Sequence, residues 1–155
     1  MGLREGGIKR TSPLQSPTVD LPMQSHIPQG YVSDIDMRLT LYQRLAKLST
    51  AQQVADIADE LKDRFGPLPS QVANLLYAIE VKILAVDVGI ESIDTDGKLI
   101  VLRMVEGKKV DKAILEKTLG DGIKAGNNQV RLDPKRLGSR WRKALLQTLQ
   151  AMAEG

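Results

Sequence analysis

Between Asp34 and Gly89 apolar residues recur every three or four positions, and beyond Gly89 the rhythm gives way to short β-branched runs broken by glycines. The first pattern predicts helices with an apolar stripe, the second predicts strands. A first helix is expected after Asp34 as N-cap, with Ile35, Leu39, Tyr42 and Ala46 on one stripe and Met37, Leu41, Leu45 and Leu48 widening it. So broad an apolar surface predicts packing on more than one side. A second helix opens at one of two overlapping capping boxes, Ser49 with Gln52 or Thr50 with Gln53. It carries Val54, Ile57, Ala58, Leu61 and Phe65 inward and stops at Gly66, where a left-handed residue would close the helix before Pro67. A third begins near Pro69 and carries Val72, Leu75, Leu76, Ile79, Ile83 and Val86 inward until Gly89. Three helices on short turns should pack as a cluster.

Ile90 to Thr95 and Lys98 to Met104 flank Asp96-Gly97, a hairpin signal. Val110 to Leu119 reads as a short helix offering Ala113, Ile114 and Leu115 to the core, stopped by Gly120-Asp121-Gly122. A second hairpin is expected from Ile123 to Ala125 and Gln129 to Leu132 around Gly126-Asn127-Asn128. Leu137 to Ala153 makes a last helix, with Trp141 as core anchor beside Leu145, Thr148, Leu149 and Met152, and Arg140, Lys143 and Gln147 opposite. The expected class is therefore α+β: an N-terminal three-helix cluster, two β-hairpins forming a small antiparallel sheet, and two further helices. Residues 1–28 hold Gly2, Gly6, Gly7, Pro13, Pro17, Pro22 and Pro28 without periodicity and read as a flexible linker or tail, leaving 29–155 as the domain.

Composition narrows the chemistry. In 155 residues there is no cysteine, which excludes disulfides, thiolate metal sites and cysteine nucleophiles. The one histidine, His26, lies in the stretch read as linker. No apolar run is long enough to span a bilayer and no secretory signal is visible, so a soluble, cytoplasmic protein without membrane contact is expected. Charge is uneven: Asp34 to Asp96 has 11 acidic and 6 basic residues, whereas Arg103 to Lys143 has 12 basic and 5 acidic. The basic half supplies a candidate phosphate-contacting set, Lys108, Lys109, Arg131, Lys135, Arg136 and Arg140, with Lys112, Lys124, Arg142 and Lys143 nearby in sequence. Against it stands the shortage of stacking partners, since Trp141 is the half's one aromatic residue.

Motifs for catalysis are missing. No G-x-x-x-x-G-K-[ST] loop is present, because Gly97-Lys98 and Gly107-Lys108 run into Leu99 and Lys109. G-x-S-x-G and H-E-x-x-H are absent as well. Asp34 with Asp36, or Asp94 with Asp96, could take a divalent cation, but cap and turn duty explains both pairs. No cofactor and no enzymatic activity are expected of this chain. The remaining feature is the outer face of the second helix, where Glu60, Asp63 and Arg64 at i, i+3 and i+4 surface together. Spacing alone leaves it open between an ordinary solvated ion pair, worth ~0.2 to 0.5 kcal/mol, and a docking patch.

Three blocks bear on that choice: Ile27-Pro28-Gln29-Gly30-Tyr31-Val32, Arg38 to Leu45 (R-L-T-L-Y-Q-R-L), and Glu60-Leu61-Lys62-Asp63-Arg64-Phe65-Gly66-Pro67-Leu68-Pro69. In order and spacing they resemble the C-terminal domain of the bacterial transcription-repair coupling factors, the Mfd family. Asn74-Leu75-Leu76 and Val88-Gly89-Ile90 look similar too, and beyond Gly97 the likeness is one of architecture. Gln29-Gly30 stands where the family usually has an acidic pair, and Ser33 where proline is common.

The resemblance implies a regulatory, autoinhibitory domain. In the family it docks on a UvrB-like module of the same protein, masks the UvrA-binding surface and restrains an ATP- and Mg-dependent DNA translocase that also engages RNA polymerase. It implies no ATPase in the domain itself. It also implies that Glu60, Asp63 and Arg64, matching the family's E-L-x-D-R-F-G segment, make the interdomain contact. The alternative is a nucleic-acid-binding accessory domain using the basic half.

Overall fold

The computed structural model describes residues 17–154, and in them the backbone follows the local signals of the first four predicted helices and of both hairpins. These residues form two compact units, Pro22–Ile83, and Leu84 onward together with the stretch ending at Leu21. The class is α+β.

In the first unit, α1 (Ile35–Ala46) starts at Asp34, whose side chain accepts from the Asp36 N–H. The overlap of capping boxes before α2 (Ala51–Phe65) resolves to Thr50 with Gln53: the Thr50 hydroxyl accepts from the Gln53 N–H, and the Gln53 carboxamide accepts from the Thr50 N–H. α3 (Ser70–Val88) begins just after Pro69, whose carbonyl accepts from Val72 and Ala73, and its last residues from Leu84 belong to the second unit. The core joins Leu41 and Leu45 of α1, Val54, Ile57 and Leu61 of α2, and Val72 and Leu76 of α3 to Ile27 and Val32 of the preceding segment.

That segment is tied down along its length. The Asn74 amide donates to the Gln24 carbonyl at 2.8 Å, the His26 N–H to Gln71, and the Ile27 N–H to the Tyr42 hydroxyl at 2.7 Å. Tyr31 donates its hydroxyl to the carbonyls of Leu61 and Gly66 at the end of α2, with its ring 5.7 Å from that of Phe65.

The stripe expected of α1 is inverted. Leu41 is 1% exposed and Leu45 is buried, with Met37 and Leu48 half-buried, whereas Ile35 and Leu39 are 61% and 55% exposed and Tyr42 37%. Two apolar stripes run along this helix, and only the packing of α2 and α3 selects which one faces inward. α3 keeps most of its expected stripe, with Val72 and Leu76 buried and Leu75, Ile79 and Ile83 half-buried, and departs from it at its end, where Val86 is exposed while Val81, Ala85 and Val88 are buried.

Gly66 has the positive φ expected of it, but φ 95°, ψ −172° lies outside the left-handed helical region. It falls in the extended region that glycine alone occupies readily. An added Cβ would meet no atom within 4 Å, so the backbone alone sets the cost of substitution. Gly66→Ala is expected to lower stability by about 1–3 kcal/mol in urea denaturation, and an unchanged midpoint would contradict the assignment.

The second unit is built on a five-stranded sheet in the order β1-β2-β3-β5-β4, from Thr18–Val19, Ile90–Asp96, Leu99–Met104, Ile123–Ala125 and Gln129–Leu132 numbered along the chain. Both hairpins form at the expected residues, with Gly97 at φ 66° in the first turn. The sheet is mixed, not purely antiparallel, because β1 pairs parallel with β2. No periodicity marked Thr18–Val19; the exposed edge of β2 recruits it. Register places Ile93, Leu102 and Val130 in one fully buried row and Ile100, Leu132 and Ile123 in another.

α4 (Lys112–Leu119) packs on β4 and on α6 (Trp141–Glu154). It buries Leu115 and leaves Ala113 exposed; the Ile114 side chain lies outside those described. A short extra helix, α5 (Pro134–Leu137), and a 3-10 turn (Gly138–Arg140) precede α6, because Gly138 at φ 61° interrupts what the sequence suggested was one helix from Leu137. α6 buries Leu145, Thr148 and Leu149. Trp141 is half-buried at its first turn instead of anchoring the core, with the Arg142 guanidinium 5.5 Å from its ring.

Candidate docking site

The period of α2 decides where its charges go. With Val54, Ile57 and Leu61 buried, Glu60, Asp63 and Arg64 are turned away from the core, and Asp63 and Arg64 are exposed. Glu60 keeps 35% of its side chain accessible and is not alone there. Arg44, from the last turn of α1, donates both terminal nitrogens to the two Glu60 oxygens at 2.7 Å each, a bidentate fork. Arg64 adds a longer contact to Glu60 Oε2 at 3.3 Å. Arg64 is further held by Met37 Sδ at 3.7 Å and lies 5.1 Å from the centre of the Phe65 ring. Asp63 has no ion-pair partner among the described residues.

Arg44 is the residue that helix spacing missed. It lies 16 positions from Glu60, and nothing in the pattern of either helix pairs them. The signal present was indirect: Arg44 stands inside the R-L-T-L-Y-Q-R-L block.

The fork has an electrostatic consequence. The Glu60 carboxyl falls from 4.5 to about 2, chiefly through the hydrogen bond from Arg44, against partial desolvation, with the charge of Arg44 and the weaker contact of Arg64 adding to it. A depressed carboxylate pKa adds stability that is complete above the ordinary value and lost as pH falls through the folded one, here between 4.5 and about 2. The gain is small because the groups are solvent-screened. Carboxyl-carbon NMR should give Glu60 a midpoint near 2 and, in Arg44→Gln, a higher one; a midpoint near 4 in the parent would dissolve the fork in solution.

The basic candidates fall at four places in the second unit. Lys108 and Lys109 follow β3 and line an open pocket of about 200 Å³ with Val88, Met104, Leu115 and Met152. Arg131 sits on β5 directly opposite Lys124 of β4. Lys135 and Arg136 belong to α5, where Arg136 is paired with Asp121 at 2.7 Å. Arg140 and Lys143 face a cleft of about 390 Å³ that also includes Asp121 and Gln147. The structure thus joins Arg140 with Lys143 and neutralises Arg136.

The acidic pairs have structural duties: Asp34 caps α1, and Asp94 and Asp96 both lie 3.8 Å from Arg103. Among the described residues no group of three or more His, Asp or Glu could hold a metal ion, and no helix is long and apolar enough to cross a membrane.

The model of the TRCF domain family matches residues 21–115, more than half of the chain. The chain belongs to the TRCF domain family. This TRCF domain is 31% identical over 118 residues to the transcription-repair-coupling factor of Rickettsia prowazekii (strain Madrid E), covering 76% of the chain and 10% of that protein. It is 34% identical over 128 residues to that of Staphylococcus aureus (strain USA300), covering 77% and 11%. The chain therefore spans about a tenth of the length of these relatives. Its fold is that of a crystal structure of the C-terminal domain of transcription-repair coupling factor, with a TM-score of 0.78 at 21% identity over 90% of this chain and 92% of the other. The matched segment of the TRCF domain contains Arg44, Glu60, Asp63 and Arg64, whereas Arg131, Lys135, Arg136 and Arg140 lie beyond it.

Proposed function

We propose that this TRCF domain is the regulatory C-terminal part of a transcription-repair coupling factor. In this reading it docks on a UvrB-like module of the same protein, masks the surface that recruits UvrA, and restrains a DNA translocase. ATP, Mg, DNA and RNA polymerase belong to that parent protein, which acts in the bacterial cytoplasm; the domain contributes binding and no turnover.

The observation that carries the reading is the charged ridge, with Arg44, Glu60 and Arg64 locked together across two helices and Asp63 left open beside them. Because α2 is anchored by buried Val54, Ile57 and Leu61, the backbone that carries Glu60 and Asp63 is already ordered before docking, which lowers the cost of binding. The test is UvrA capture by the full-length coupling factor carrying changes at Glu60, Asp63 and Arg64. Release of the domain should expose the recruiting surface and raise capture and ATPase. A DNA mobility-shift titration at low salt separates this from nucleic-acid binding by the basic half, which would give a salt-sensitive shift for the domain alone.

A further inference from the structure

The docking proposal, on which this inference rests, leaves the chemistry of the partner unspecified; the occupancy of the two carboxylates supplies it. Glu60 and Asp63 are one helical turn apart, yet Glu60 has both oxygens occupied while Asp63 has no ion-pair partner among the described residues. The two arginines on Glu60 are held differently. Arg64 is fixed by its own helix, the Phe65 ring and Met37. Arg44 reaches over from α1 on an exposed arm, and Glu60 is the one hydrogen-bond and ion-pair partner of its guanidinium among the described residues. Such an arm can swing into solvent without disturbing either helix.

We propose that Arg44 is a specificity-determining residue of the ridge: it occupies on Glu60 the place of a partner guanidinium, which docks by displacing Arg44 and pairing with Asp63 at the same time. A guanidinium suits the exchange, because its planar fork reproduces the two parallel hydrogen bonds that Arg44 gives up. An ammonium offers a point charge and cannot. Asp63 is what favours the newcomer, since Arg44 leaves it open. A partner lacking either the fork or the reach to Asp63 gains nothing over the resident arginine, so the resident filters partners. Its cost is a lower apparent affinity, reduced by the fraction of time the ridge spends closed.

The experiment is calorimetric titration of the 155-residue chain with an isolated UvrB-like module of a coupling factor, for the parent, Arg44→Gln, Arg44→Lys, Glu60→Gln and Arg44→Gln with Glu60→Gln. An exposed pair of this kind sets the scale, so Arg44→Gln should bind about twofold to fivefold more tightly, and Arg44→Lys should fall between it and the parent. Glu60→Gln should bind more weakly, and adding Arg44→Gln to it should change nothing further, because the competition needs the carboxylate. Binding by Arg44→Gln equal to or weaker than the parent, with Glu60→Gln still impaired, overturns the exchange and leaves the docking reading standing. No loss from Glu60→Gln, and none from Asp63→Asn tested beside it, brings down the docking reading itself. A thermal melt of each variant shows that the fold is intact.

Discussion

Leu41→Ala is expected to cost about 2–5 kcal/mol, whereas Leu39→Ala, two residues earlier on the same helix, should stay within about 0.5 kcal/mol of the parent. The contrast follows from burial, because Leu41 is among the largest fully buried side chains and Leu39 is exposed. Truncating Leu41 opens a cavity between α1 and the residues of α2 and α3 that meet it in the core, and close-packed neighbours relax only in part. Truncating Leu39 removes surface that already faces water. Paired urea denaturation of the two variants reads the difference directly. Equal losses, or a larger one at Leu39, would mean that α1 is rotated to the other stripe, and the position of Arg44 over Glu60 would go with it.

Asp63→Lys is expected to leave folding within about 0.5 kcal/mol of the parent while weakening docking tenfold or more. Asp63 is the best single probe of the ridge because it has no ion-pair partner among the described residues to lose. Glu60→Lys, by contrast, would set a third cation between Arg44 and Arg64 and perturb the free domain as well. The docking loss comes from desolvation: charge pairs sealed at an interface couple by ~1.5 to 7 kcal/mol, and ~1.4 kcal/mol is already tenfold in affinity. Full reversal, with Glu60→Lys and Arg64→Glu added, should increase UvrA capture by the full-length protein further. Normal folding together with unchanged capture would remove the ridge from the mechanism.

The parts of this domain that were legible in the sequence are those decided within a few residues. Asp34 and Thr50 cap their helices, Gly66 and Gly97 take positive φ, the two hairpins turn at Asp96-Gly97 and Gly126 to Asn128, and α2 buries Val54, Ile57 and Leu61. Each rests on hydrogen bonds or side-chain spacings that close over a single turn, so local chemistry suffices. The outward position of Glu60, Asp63 and Arg64 belongs here too, since the inward stripe of α2 leaves them no other face. Where two apolar stripes run along one helix, as in α1, local spacing favoured Ile35, Leu39 and Tyr42, and the structure buries Leu41 and Leu45 instead.

Tertiary structure made those choices. The inward face of α1 depends on α2 and α3 arriving against Leu41 and Leu45, and Val86 stays exposed because the end of α3 turns Val81, Ala85 and Val88 inward instead. β1 exists because an edge of β2 offers unpaired backbone groups to a segment far away in the chain, and its two residues carry no alternation of their own. The break at Gly138 separates α5 from α6 where apolar spacing ran on. The same holds for the fork between Arg44 and Glu60, which joins residues 16 positions apart on different helices. A charge pattern along one helix fixes which side chains share a face, but an ion pair between helices requires the register of their packing, and that register is set by the core.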